Sequence, residues 1–362
     1  MALPRVNPAD YERQLQVKQQ RITEQFAVFT PPPMEVFASP ETHYRMRAEF
    51  RVWHDEDDLY YVMFAPGDKN TRFKVETCPM VSSTIENTMF RLLDLIRPDP
   101  VLRHRLFQVD FLSTLSGELL VTLLYHRPLD DAWESAARQL KETLGIQLIG
   151  RSRKSRILLD QDFVIETLNI NGRDYSYKQV ENSFSQPNAE VCRHMIEWAL
   201  DASQHAGGDL VELYCGNGNF TLPLAQNFNR VVATEISKTS VHAAQFNIAA
   251  NQIDNVDVVR ISSEEFSQVL NGSLEKRRTR DLKLDECDFT TVLVDPPRSG
   301  LDENTVQQVQ SYQNIIYISC NPDTLFQNLE QICQTHRIER FALFDQFPYT
   351  DHLECGVFLT RR

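Results

Sequence analysis

The sequence predicts an α/β chain in two parts: a mainly antiparallel α+β region, then a Rossmann-like, mostly parallel sheet with helices on both faces. Three observations predict it. The chain has 362 residues, more than one compact core usually holds. Residues 43–125 alternate like half-buried strands, in "YRMRAEFRVWH", "DLYYVMFAP" and "RLFQVDFLSTLSGELLVTLLYH". From about residue 190, short apolar strands alternate with amphipathic helices, which is the pattern of parallel strands joined by crossover helices.

Taken in order, residues 9–29 are polar with spaced apolar positions (Leu15, Ile22, Phe26) and read as a helix. "TPPPMEVFASP" (30–40) reads as a break and linker. The strands of 43–125 are interrupted by a helical stretch at 85–96, and a second follows at 130–144. "RILLD" and "FVIETLNING" read as a further hairpin. The second part reads as helix 188–203, strand 209–214, helix 219–227, strand 230–235, helix 238–251, strand 255–260 and helix 263–270. A polar insert follows, "NGSLEKRRTRDLKLDECD". Then come strand 290–294, helix 302–311, strand 314–319, helix 322–334 and strands 337–345 and 353–360. The last two strands have no helix between them, so one of them should run antiparallel. The expected domains are 1–40 (helix and linker), 41–180 and 181–362.

Composition narrows the function classes. No apolar run is long enough for a transmembrane helix, and the N-terminal "MALPRVNPADYERQLQVKQQ" lacks the apolar core of a secretory signal. Seven cysteines at irregular spacing, with no CxxC pair, fit a reducing cytoplasm and argue against structural zinc or an iron–sulfur cluster. The net charge of −13 speaks against a nucleic-acid partner until its distribution is read. Residues 1–180 hold 23 Lys and Arg against 25 Asp and Glu, whereas 181–362 hold 14 against 25. The first half also clusters its basic groups in 43–51, 103–107 and 150–156, and such patches can bind phosphates on an acidic protein. Solvated loops and strand faces are the alternative for each cluster.

The motifs fall at strand ends. "VELYCGNGNF" places Gly216 and Gly218 between a strand and a helix, where glycine allows a tight turn and close approach to a ligand. A GxG alone can be a mere turn. Glu235, at the end of the next strand, is placed to accept hydrogen bonds from ribose hydroxyls. Thr221 stands where a dinucleotide site would carry its third glycine, so S-adenosyl-L-methionine is the better ligand. "VDPPRSGLD" puts Asp295 at another strand tip, where open α/β sheets bind ligands; a rigid packing loop is the alternative. In "NIIYISCNP" a strand ends in Cys320, which alone could be a core or incidental cysteine but, beside the other two motifs, is the nucleophile offered along that edge. Glu354 interrupts the apolar run "HLECGVFLT", an unusual place for a carboxylate, which reads as a base, with a structural role as the alternative. His352 reads as a supporting or structural residue.

These motifs, with "THYRMRAEFR", "VENSFSQPN" and "FDQFPYTDHLECG", resemble the RNA uracil-5 methyltransferase family over nearly the whole chain, its tRNA-acting branch in particular. The resemblance implies a class I S-adenosylmethionine methyltransferase domain behind an N-terminal RNA-binding domain. It implies Cys320 as nucleophile on uracil C6 and Glu354 as the base that removes the C5 proton. Gln186, Tyr214, Asn219, Glu235 and Asp295 would line the S-adenosyl-L-methionine site, and Arg298 would hold the uracil. Arg51, Phe107 and His126 match positions expected to touch RNA; on local sequence Phe107 could equally be core. The implied product is ribothymidine at uridine 54 in the T loop of tRNA, with the T arm of tmRNA as a second substrate. The family members that act on ribosomal RNA carry a four-cysteine cluster and a β-barrel domain, and neither is visible here. A ribosomal RNA substrate and a tRNA-folding role are the alternatives. The expectation is completed by a cytoplasmic monomer without metal or membrane contact.

Overall fold

The computed structural model describes residues 6–64, 68 and 71–362. They form two compact units. The first holds Pro40–Thr167 and Gln179–Ala189 with the start of the chain up to Pro8; the second holds Ala9–Ser39, Leu168–Lys178 and Glu190–Arg362.

The first unit is built on a seven-stranded sheet. Its order is Arg72–Lys74, Asp58–Phe64, Arg47–Asp55, Leu106–Ser113, Leu119–Tyr125, Gln147–Ser152 and Arg156–Leu158. Neighbours run antiparallel except Leu119–Tyr125 beside Gln147–Ser152. A parallel pair needs a crossover, and the helix Asp131–Leu144 supplies it. Asp130 caps that helix by accepting from Trp133 N–H, and Gly145 ends it in the left-handed conformation. The helix Ser83–Ile96 buries Ile85, Met89, Leu92, Leu93 and Ile96. On the sheet, Phe50, Tyr61 and Phe111 are fully buried, and the Tyr61 hydroxyl donates to Met89 O at 2.9 Å.

The second unit carries an eight-stranded sheet in the order Glu35–Phe37, His336–Phe344, Glu354–Arg361, Asn314–Ser319, Phe289–Val294, Asp209–Leu213, Val231–Glu235 and Val256–Arg260. Glu354–Arg361 is the antiparallel strand, paired that way with both neighbours. The other pairs are parallel, so the strands before the motifs point their C-terminal ends to one edge.

Three features differ from the expected organisation. The helix observed at Tyr11–Phe26 does not stand apart: Tyr11, Leu15, Ile22 and Phe26 belong to the core of the second unit. The segment read as a linker contains the strand Glu35–Phe37, which extends the large sheet beside His336–Phe344. The proline run hid it, because three prolines remove donors but leave the residues that follow free to pair. The third is the hairpin. Arg156–Leu158 pairs with Gln147–Ser152, and Phe163–Ile170 pairs instead with Arg173–Val180. Asn171 (φ 48°) and Gly172 (φ 87°) make its turn, the Asn-Gly signal that favours two-residue hairpins.

Candidate active site

Cys320 and Glu354 are brought together by strand register. Asn314–Ser319 and Glu354–Arg361 run antiparallel with Ser319 opposite Cys355. One step further along the same register, Cys320 faces Glu354. The strand cannot continue, because Pro322 opens a helix at once and Asn321 caps it, accepting from Asp323 N–H at 3.2 Å. The thiol is thereby left half-buried at the sheet edge. The parallel neighbour Phe289–Val294 delivers Asp295 to the same edge. The loop after it is pinned as well: Asn321 Nδ2 donates to Arg298 O at 2.9 Å. Arg298 Nη2 donates to His352 Nδ1 at 3.1 Å. Burial and the Arg298 charge lower the His352 pKa, which suits an imidazole accepting that hydrogen bond.

The electrostatics of this corner are unusual. Glu354 is 3% exposed, and its Oε2 has no hydrogen-bond partner among the described residues. Burial, reinforced by Asp295, raises its pKa well above the carboxylate range. Burial also pushes Asp295 up to about 7. Cys320 is pushed up to about 12, chiefly by burial, then by Glu354 and Asp295, with Arg298 opposing them. The site therefore favours an added positive charge, which would draw both carboxyls toward the ionised form.

The glycine loop forms the other wall. Gly216 and Gly218 have positive φ, at 57° and 86°. A Cβ on Gly218 would lie 2.6 Å from Leu222 Cδ1, whereas one on Gly216 would meet nothing within 4 Å, so that backbone is open to a ligand. Glu235 is held by two backbone donors: Gly216 N–H gives to Oε2 at 3.1 Å and Ser237 N–H to Oε1 at 2.7 Å. Tyr214 adopts φ 65°, uncommon for a residue with a side chain, and its hydroxyl pairs with Ser263 Oγ at 2.8 Å. Asn219 Nδ2 donates to Cys192 Sγ at 3.1 Å. An open backbone curve, a tethered carboxylate and a cation-seeking pocket fit the ribose and the charged end of S-adenosyl-L-methionine. Gln186 lies half-buried in the segment 179–189, which belongs to the first unit.

Sequence reasoning passed over Glu212. This glutamate is 1% exposed within Asp209–Leu213, its Oε2 lacks a partner among the described residues, and burial pushes it up to about 8. The signal was available, since "DLVELY" interrupts an apolar strand with a carboxylate just as "HLECGVFLT" does.

In the first unit, Arg51, Phe107 and His126 form one stack. The Arg51 guanidinium lies 3.8 Å from the Phe107 ring centre, and the His126 ring stacks on Phe107 at 3.8 Å. Phe107 is half-exposed, so it is not a core residue. Nearby, His54, Pro100, Arg103, His104 and Arg105 line a shallow depression. The other basic clusters are partly spoken for. Arg47 Nη1 donates to Ser183 O at 2.6 Å, and Arg151 and Arg156 both pair with Glu181.

Among the described residues, no group of three His, Cys, Asp or Glu is arranged to hold a metal ion, and no helix is long and apolar enough to cross a membrane. The tRNA (Uracil-5-)-methyltransferase family matches residues 10–362. The chain is 57% identical to the tRNA/tmRNA (uracil-C(5))-methyltransferase of Yersinia enterocolitica, covering 99% of both proteins. It is 55% identical to the protein of that name from Psychromonas ingrahamii, covering 100% of both. In fold it is similar to the Pyrococcus abyssi tRNA (uracil-54, C5)-methyltransferase in complex with S-adenosyl-L-homocysteine. That match has a TM-score of 0.73 at 21% identity, over 97% of this chain and 83% of that one. The chain belongs to the tRNA (uracil-5-)-methyltransferase family.

Proposed function

We propose that the chain methylates C5 of the T-loop uridine of tRNA, position 54, giving ribothymidine, and the matching uridine in the T arm of tmRNA. The observation that carries the mechanism is the register that sets Cys320 across from the buried Glu354, whose Oε2 has no partner among the described residues. The full-length relatives supply the substrate class.

Uracil C5 is too weak a nucleophile to take a methyl group unaided. Cys320 first loses its proton to solvent, with Arg298 favouring the anion. The thiolate then adds to C6, and the C5–C6 π electrons move toward C5 and O4. When bound, S-adenosyl-L-methionine would supply the methyl group from its sulfonium, with S-adenosyl-L-homocysteine as the other product. Tyr214, Asn219, Glu235 and Asp295 would hold the methyl donor, with Gly216 and Gly218 giving backbone access. After C5 is methylated, Glu354 removes the remaining C5 proton. The released electrons restore the C5–C6 double bond and expel the Cys320 thiolate. One proton is released per methyl transferred. Phe107 and His126 offer a stacking surface for unstacked T-loop bases, and Arg51 with 103–105 offers positive charge to phosphates.

Incubation with methyl-labelled S-adenosyl-L-methionine and unmodified tRNA should place label in ribothymidine, and a U54→C tRNA should take up none. Label in another nucleoside overturns the reading. RNA with 5-fluorouridine at position 54 should trap a covalent adduct, because fluorine cannot leave as a cation. Cys320→Ala should abolish it.

A further inference from the structure

The helix Tyr11–Phe26 has two working faces. One carries Tyr11, Leu15, Ile22 and Phe26 into the core. The other, at the helical spacing 14, 18 and 21, grips the loop 345–353 that leads into Glu354. Gln14 spans it: Nε2 donates to Asp345 Oδ2 at 2.8 Å, and Oε1 accepts from Tyr349 N–H at 3.3 Å. Arg21 Nη2 donates to Asp351 O at 2.8 Å.

Lys18 is the centre of this grip. Its side chain is 5% exposed and that of Asp345 is 0% exposed. The ammonium uses its three protons on Asp345 Oδ1 at 2.6 Å, Phe347 O at 2.9 Å and His352 O at 2.9 Å. Burial works against its charge, and Asp345 supports it. A lysine serving only as an ion-pair partner needs the carboxylate alone. This one also draws in carbonyls from the two ends of one loop, which sets its curvature. The second carbonyl lies two residues before Glu354. The same residue, His352, accepts from Arg298, whose carbonyl accepts from Asn321 beside Cys320. One chain of hydrogen bonds thus runs from the N-terminal helix to the residue next to the thiol.

We propose that Lys18 is a positioning residue for the release step: by holding the loop 345–353 it keeps the Glu354 carboxyl aligned with the C5 proton. This rests on Glu354 being the base. Misplacing a reacting group by about 1 Å can cost on the order of a hundredfold in rate. Lys18→Met should therefore slow turnover on unmodified tRNA by about 10- to 100-fold. Adduct formation with 5-fluorouridine RNA, which ends before proton removal, should stay within about threefold of wild type. A methylated covalent protein–RNA complex should accumulate on ordinary tRNA, visible by denaturing electrophoresis with methyl-labelled donor.

Leaving Asp345 buried without its counter-charge could unfold the protein, so Lys18→Met/Asp345→Asn, which removes both charges, is run alongside and should stall in the same way. If turnover and adduct formation fall together, in proportion to lost folded protein, the role is structural only and the proposal fails. It fails equally if both rates match wild type. Glu354→Gln in the same gel separates the two readings. If it turns over normally, the base is another group, while a stall in the Lys18 variants still marks the loop as the element that release depends on.

Discussion

Glu354→Gln should move the two halves of the reaction in opposite directions. The substitution keeps the shape and removes a charge that the site resists burying. With its pKa pushed up to about 12, Cys320 is a thiolate in only about one molecule in 10⁴ at pH 8. An unperturbed thiol near 9 would reach about one in ten. The gap is about a thousandfold, and burial, which Gln does not relieve, is its largest cause. The share owed to Glu354 is the removable part, so Gln in its place raises the thiolate fraction by less than that thousandfold. Adduct formation with 5-fluorouridine RNA at pH 8 should therefore be at least as fast as in wild type. Turnover on ordinary tRNA should fall by about 10² to 10⁴, the usual contribution of a general base. The assay is a stopped time course of both reactions from pH 6.5 to 9. Because a lowered thiol pKa moves thiolate to lower pH, the adduct profile should shift toward acid in the variant. A variant that slows adduct formation as much as turnover would refute the reasoning, for it would place Glu354 before methyl transfer.

Three further outcomes concern Glu212, Arg51 and Phe107. Glu212 has a folded pKa above its ordinary 4.5, so its contribution to stability is present below about 4.5 and is lost as the pH rises through about 8. Glu212→Gln should thus be stabilised relative to wild type increasingly over that window, by at most about 5 kcal/mol, in urea titrations of the protein alone. Parallel pH profiles would count against a neutral buried carboxyl. Arg51→Ala should weaken tRNA binding at low salt and flatten its salt dependence, whereas Phe107→Ala should weaken binding by about 1–3 kcal/mol with the salt slope kept. Filter binding from 50 to 200 mM salt distinguishes them, and an unchanged slope in Arg51→Ala would remove the phosphate contact.

Much of the site is legible in the sequence because its signals are local. A strand end followed by Asn-Pro, a GxG between strand and helix, and a carboxylate inside an apolar strand each report a backbone constraint within a few residues. Register then brings Cys320 and Glu354 to one edge, and that pairing of Asn314–Ser319 with Glu354–Arg361 comes from the fold, not from the sequence. What escapes the sequence is long-range. Lys18 looks like any lysine on a polar helix, and only the fold sets Asp345 and two carbonyls beside it. The strand Glu35–Phe37 is three residues long and draws its stability from His336–Phe344, some 300 positions away. Glu212 differs, since its signal is as local as that of Glu354: a carboxylate inside an apolar strand, in "DLVELY" as in "HLECGVFLT".

That short strand bears on how the protein is made. Its partner strand is synthesised near the other end of the chain. At roughly 5–20 residues per second, Glu35–Phe37 leaves the ribosome about 15–60 seconds before His336–Phe344 exists to receive it. The helix Tyr11–Phe26 waits equally long for the core that buries Ile22 and Phe26. During that interval an amphipathic helix and an unpaired strand are held in the nascent chain while the first unit, Pro40–Thr167 with Gln179–Ala189, is completed. The wait favours a polar helix over a strongly apolar one, and residues 11–26 keep their apolar groups few and widely spaced. A ribosome stalled before codon 336 should leave this segment open to protease, and one stalled after the last codon with a linker long enough to clear the exit tunnel should protect it.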